Sequence, residues 1–117
     1  SNQAEEKNVF TDLDHKAFIK ARKQNDIFIR VLAPDTQEAH NLKKADGLSL
    51  RETRIIYDEE IPFKSETYIY ADKIAMLEFR DQIQGFIVRS EEFNHAQRWL
   101  FEKVWKICES TDKGKRI

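Results

Sequence analysis

The hydrophobic periodicity predicts an α/β fold, a mixed sheet of about five strands with helices packed against it. Three observations carry that expectation. Between Glu66 and Val88 the positions Thr67, Ile69, Ile74, Met76, Phe86 and Val88 recur by twos within their segments, which places them on one sheet face. From Phe93 the spacing changes to three or four, through Ala96, Leu100, Phe101, Val104, Ile107 and Cys108, as on an amphipathic helix. Upstream, strand-like runs at Ile27–Ala33 and Arg51–Tyr57 flank a helical pattern, the length and order of a parallel β-α-β unit.

Taken in order, residues 1–10 are polar apart from Val9 and Phe10 and are expected to be ragged. Ser1-Asn2 reads as a tag-cleavage scar, which would make this an excised domain. Thr11 or Asp12 caps a helix to about Gln24, with Leu13, Ala17, Phe18 and Ala21 at helical spacing, and Asn25-Asp26 breaks it. Ile27–Ala33, apolar except for Arg30, suits a central strand covered on both faces. Pro34 then turns the chain into a second helix over 36–46, capped by Asp35 or Thr36, with Gly47 suited to a left-handed closing residue. Arg51–Tyr57 is the next strand and Asp58–Lys64 a loop. A hairpin turns at Ala71-Asp72, and a further strand follows a polar turn at Arg80–Gln82. Ser90, with Glu91 and Glu92 near the positive end of the dipole, starts a closing helix over 91–109. The domain is therefore set at 11–109, with 110–117 as a flexible basic tail.

Composition limits the function classes. At 117 residues, 40% hydrophobic and 35% charged, the chain is one ordinary globular domain without disordered character. A single cysteine excludes an internal disulfide and fits a reducing, cytoplasmic setting. No apolar run approaches the ~20 residues that cross a bilayer, so no membrane partner is expected. Twenty basic against twenty-one acidic residues leave no global electrostatic footprint for nucleic acid. The local clusters at Lys16, Lys20, Arg22 and Lys23, and at Lys113, Lys115 and Arg116, read as a solvated helix face and a frayed tail.

Three segments carry a family resemblance: Ile69-Tyr70-Ala71-Asp72-Lys73-Ile74-Ala75, Gly85-Phe86-Ile87-Val88, and Trp99-Leu100-Phe101-Glu102-Lys103-Val104-Trp105-Lys106. They resemble the end of the phospholipase D-like domain of TrmB-type prokaryotic transcription regulators, whose pattern is roughly Ile-Tyr-Gly-Asp-Lys-Val-Ala, a Gly-led strand and a helix carrying Phe-Glu-x-x-Trp. Phe18–Lys23 followed by Ile27–Pro34 fits the family's helix and strand ending in Ala-Pro, so the resemblance spans about Asp14 to Glu109. It implies half of a phospholipase D-like fold, with the family's hairpin glycine replaced by Ala71. Such a half begins with a strand before its first helix. Only Val9-Phe10 remains of one here, so an uncovered sheet edge is expected.

The resemblance also implies a transcription-regulator parent, in which a winged-helix segment absent from this chain reads DNA. This domain would then sense an unknown small-molecule effector or assemble a homodimer. Active phospholipase D enzymes carry His-x-Lys, and none of His15, His40 and His95 is followed by Lys two positions later. A non-enzymatic domain is therefore expected, without catalytic, cofactor or metal residues. The alternatives are a small phosphodiesterase or nuclease and a stand-alone interaction domain. Family sugar sites are attributed to a further C-terminal region, and no sugar-binding residue is assigned here.

Asp58, Glu59 and Glu60 with Glu66 make an acidic loop, which reads as solvated more readily than as a cation site. Cys108 and Trp105 belong to the apolar face of the closing helix. Trp99 lies about 120° from Trp105 around that helix and falls outside the stripe. With Glu92, His95 and Lys103 it forms the candidate interface, since aromatics are enriched where proteins meet.

Overall fold

The structure, a computed structural model, describes residues 7–10, 12–70, 72–79, 83–88 and 90–111. The elements run β1 (Lys7–Phe10), α1 (Asp12–Gln24), β2 (Ile29–Pro34), α2 (Gln37–Lys44), a short 3-10 turn (Asp46–Leu48), β3 (Arg51–Ile56), β4 (Glu66–Tyr70), β5 (Lys73–Phe79), β6 (Ile83–Val88) and α3 (Glu91–Thr111). The strands form one mixed sheet in the order β1-β6-β5-β4-β2-β3. β2 and β3 are parallel and the other pairs antiparallel. The α/β expectation holds.

The sheet has six strands where about five were expected, because residues 7–10 form a strand inside the segment read as ragged. β1 pairs with β6 from Lys7↔Val88 to Phe10↔Gly85. A four-residue edge strand whose only partner lies far along the chain leaves no local periodic signal. The sheet edge expected to be uncovered is thus the β6 edge, and residues 7–10 cover it. The free side of β3 is blocked as well: Asp46 Oδ2 accepts the Thr53 N–H at 2.6 Å and Lys43 Nζ donates to the Thr53 carbonyl at 2.8 Å. Side chains in place of a strand are one way to keep an edge from pairing with another chain.

Each sheet face has its own core. On one, Ile29, Val31, Ala33, Ile55, Tyr68, Tyr70, Ala75, Leu77 and Ile87 pack with Ala39 of α2. On the other, Leu32, Ile69 and Ile74 meet Phe101, Trp105 and Cys108 of α3. Ile29, Ile55, Ile69 and Ile74 are almost fully buried, and each contributes on the order of 2 kcal/mol. The period-two face read from sequence is real, with Thr67, Met76 and Phe86 in one row and Ile69, Ile74 and Val88 in the next. Only Ile69 and Ile74 of that set are buried, since α3 crosses just part of the sheet. Gly85 is required where β5 and β6 approach, because a Cβ there would lie 2.1 Å from the Met76 carbonyl oxygen.

Local chemistry fixes the element ends. Thr36 caps α2 by accepting the Ala39 N–H at 3.1 Å, and Ser90 Oγ accepts the Phe93 N–H at 3.3 Å. α2 stops at Lys44, short of the expected 46, and Gly47 sits inside the 3-10 turn without closing the helix. The cause is Asp46, whose carboxylate is captured by Arg51 and Thr53 of β3. The left-handed positions fall instead on Asp26 (φ 53°), the expected breaker, and on Leu50 (φ 51°). A left-handed leucine costs about 1–2 kcal/mol. It is offset where the Leu50 carbonyl accepts both the Ile29 N–H and Arg22 Nη1 at 3.0 Å. The β4–β5 connection is the expected two residues, with Tyr70 paired to Lys73. Ala71, on which the turn type depends, lies outside the described residues, as do the 80–82 turn and residues 112–117 of the basic tail.

Candidate functional site

α3 is held to the sheet by a cationic clamp. Arg30 of β2 and Arg54 of β3 place their guanidinium carbons 5.2 and 4.1 Å from the centre of the Trp105 ring. Trp105 stacks on Phe101 at 5.5 Å, and Arg30 also lies 5.1 Å from the Phe101 ring. The Arg30 fork donates to both Glu102 oxygens, at 2.9 and 2.5 Å, and Arg54 Nη1 donates to the Trp105 carbonyl at 2.9 Å. That pairing holds the Glu102 carboxyl below its ordinary range and raises the Arg30 guanidinium. At the other end Asn94 Nδ2 donates to the Asp72 and Val88 carbonyls at 2.9 and 3.0 Å. The rotation of α3 is therefore fixed at both ends.

That rotation splits the apolar stripe read from sequence. Phe101, Trp105 and Cys108 face the sheet, whereas Phe93, Leu100 and Ile107 are 52%, 50% and 48% exposed. Trp99 is 61% exposed and lies about 160° round the helix from Phe101. Its predicted companions share the outer surface: Glu92, His95 and Lys103 are all exposed, and Lys103 Nζ sits 5.0 Å over the Trp99 ring. At 100° per residue, about 120° of arc runs from Trp99 through Glu92, Lys103, Ala96, Ile107 and Leu100 to Phe93. His95 falls on the opposite, polar shoulder of Trp99. Sequence reasoning missed that Phe93, Leu100 and Ile107 belong to this outer surface. The signal is present, since positions 93, 96, 100, 103 and 107 alternate by three and four, but Lys103 interrupts it.

The other candidate positions separate. His95 is exposed on α3, while His40 Nε2 lies 2.7 Å from Asp35 Oδ1 with its ring 6.2 Å from that of Tyr57. The His15 side chain lies outside what is described. Asp58, Glu59 and Glu60 are exposed in a turn, where Asp58 Oδ1 accepts the Glu60 N–H at 2.9 Å. Asp58 and Glu59 join Pro34, Asp35, Ile61, Phe63 and Lys64 in a crevice of about 310 Å³ beyond the carboxyl ends of β2 and β3. Glu66 is not part of that loop. It starts β4, is 2% exposed and accepts from the Tyr68 hydroxyl at 2.8 Å. No group of three or more His, Cys, Asp or Glu among the described residues is placed to hold a metal ion. No helix among them is long and apolar enough to cross a membrane.

Comparison with known proteins gives a fold neighbour and no family. No family model matches the chain, and no curated protein matches it significantly. A solved structure of TrmBL2, described as an archaeal chromatin protein with a novel mode of DNA binding, is similar over 91% of this chain with 9% identity and a TM-score of 0.47. The chain spans about half, 54%, of that chain. A TrmB-type protein is thus a structural neighbour, at a similarity that carries no inference about what this chain binds.

Glu66 has a measurable consequence. Burial raises its carboxyl from 4.5 to about 7, against the lowering pull of the Tyr68 hydrogen bond and the Arg51 charge, with Glu38 adding to the rise. The folded state therefore holds a proton that the unfolded state releases near pH 4.5. This contribution is complete below that pH and is lost as pH rises to about 7. Glu66→Gln, which keeps an acceptor for Tyr68, should match the wild type near pH 4.5 and exceed its unfolding free energy by roughly 3 kcal/mol above pH 7. Denaturant titrations of both proteins across this range check it; parallel pH profiles would contradict it.

Proposed function

We propose that this chain is the non-enzymatic regulatory module of a TrmB-like transcription regulator. Its α3 surface assembles the parent protein into a homodimer, and a winged-helix segment outside this chain reads DNA. What supports the proposal is the outer surface of α3. Phe93, Trp99, Leu100 and Ile107 each expose about half or more of their area along one side of a single helix. A helix face that meets only water carries polar residues, and contiguous exposed apolar surface marks a place where another molecule sits. The clamp of Arg30 and Arg54 on Trp105 makes that surface rigid, so little ordering cost opposes association. Any effector would act by biasing this assembly. No ligand is assigned.

A phosphodiesterase is the competing function, and the sequence speaks against it. No histidine is followed by Lys at the second position, and His40 is already engaged with Asp35.

Sedimentation across a concentration series checks the assembly role. The wild type should self-associate, and Trp99→Ala should weaken association at least ~tenfold, in the range of an interface aromatic. Association unaffected by the substitution, or a monomer at every concentration, would contradict it. Incubation with a chromogenic phosphodiester should give no turnover; turnover that disappears in His40→Ala would make the chain an enzyme.

A further inference from the structure

The order of charges along α3 indicates how its outer surface is occupied. Phe93, Leu100 and Ile107 are seven residues apart, and Ala96 and Lys103 fall between them, so the five positions form a seam of alternating three- and four-residue steps. Glu92, Trp99 and Lys106 flank this seam on one side, each one residue before a seam position, and all three are exposed. The acids of the exposed flank, Glu91 and Glu92, sit in the first turn of α3, and the bases Lys103 and Lys106 lie three to four turns later. Glu102 belongs to the inner clamp with Arg30 and leaves this pattern undisturbed.

We propose that the outer seam of α3 binds the same seam of a second copy of this chain in antiparallel orientation, about a two-fold axis at Trp99 and Leu100. The proposal rests on the assembly role given above and adds its partner, orientation and register. About that axis Leu100 meets Leu100 of the other copy, Trp99 meets Trp99, and Phe93 meets Ile107. Ala96, the small residue of the seam, faces the Lys103 that lies over the Trp99 ring. Glu92 of each copy then opposes Lys106 of the other, and a two-fold contact makes that pair twice. Parallel pairing would gather the acidic first turns of both copies at one end and their lysines at the other, and would form no Glu92–Lys106 pair. Antiparallel helix dipoles also set each positive end beside a negative one. Another protein could use the seam without reading this charge order; a second copy reads it by symmetry.

The test is charge reversal, followed by sedimentation of the full chain at low ionic strength. Glu92→Lys and Lys106→Glu alone should each weaken self-association roughly tenfold, since each replaces two attractive pairs by two repulsive ones. An equimolar mixture of the two variants should restore wild-type association, because every opposed pair across the mixed dimer is then of opposite sign. Recovery in the mixture also shows that both variants are folded. Trp99→Ala separates the two levels. If Trp99→Ala dissociates the dimer while neither reversal has any effect, the antiparallel register is wrong and the assembly role stands. A wild type that stays monomeric would overturn both.

Discussion

Two arginines over one indole decide which side of the closing helix the protein shows to its surroundings. Arg30 and Arg54 come from adjacent parallel strands, and both guanidiniums lie within reach of the Trp105 ring. Arg30 adds a bidentate pair to Glu102, and Arg54 a hydrogen bond to the Trp105 carbonyl. A purely apolar contact would let α3 turn by part of a residue at small cost, because hydrophobic burial is not directional. Planar guanidinium forks have geometry, and they remove that freedom. With Trp105 and Phe101 pinned inward, Trp99, Leu100 and Phe93 have nowhere to go but outward.

The opposite face is held by a different device. Asp46 joins Arg51 and Thr53, Arg51 also donates to the Leu42 carbonyl at 2.7 Å, and Arg22 donates to the Ser49 and Leu50 carbonyls. Burying these charges has a solvation cost that well-packed apolar residues would avoid. What the network provides is specificity: it fixes α1, α2 and the 3-10 turn against β3 and closes that edge to other strands. The two faces thus divide the work. One seals the sheet, and the other presents a helix.

How far the fold was legible follows the range of the signal. Periodicity of two and of three to four placed β4, β5, β6 and α3, and Thr36, one of two expected caps of α2, and Ser90 of α3 mark helix starts, because those signals are local. β1 was reduced to a Val9-Phe10 remnant because the full strand, Lys7–Phe10, is recognisable only through its pairing with β6. The end of α2 was misplaced because Asp46 is held by residues five and seven positions on, in the next strand. Glu66 was grouped with the acidic loop by proximity in sequence, although the pleat turns it inward to Tyr68. The stripe of α3 could be counted from sequence, but its division into inner and outer halves could not. That division depends on Arg30, which had looked like a mere exception in an apolar strand.

The central claim, that α3 keeps Trp105 against the sheet and offers Trp99 to a second copy, can be tested without altering the protein. The chain has two tryptophans, and each gives one indole N–H resonance in a nitrogen–proton correlation spectrum. Across a dilution series the Trp99 resonance should shift or broaden with concentration while that of Trp105 stays in place. Two resonances that both stay fixed to the highest concentration, or movement confined to Trp105, would contradict the account.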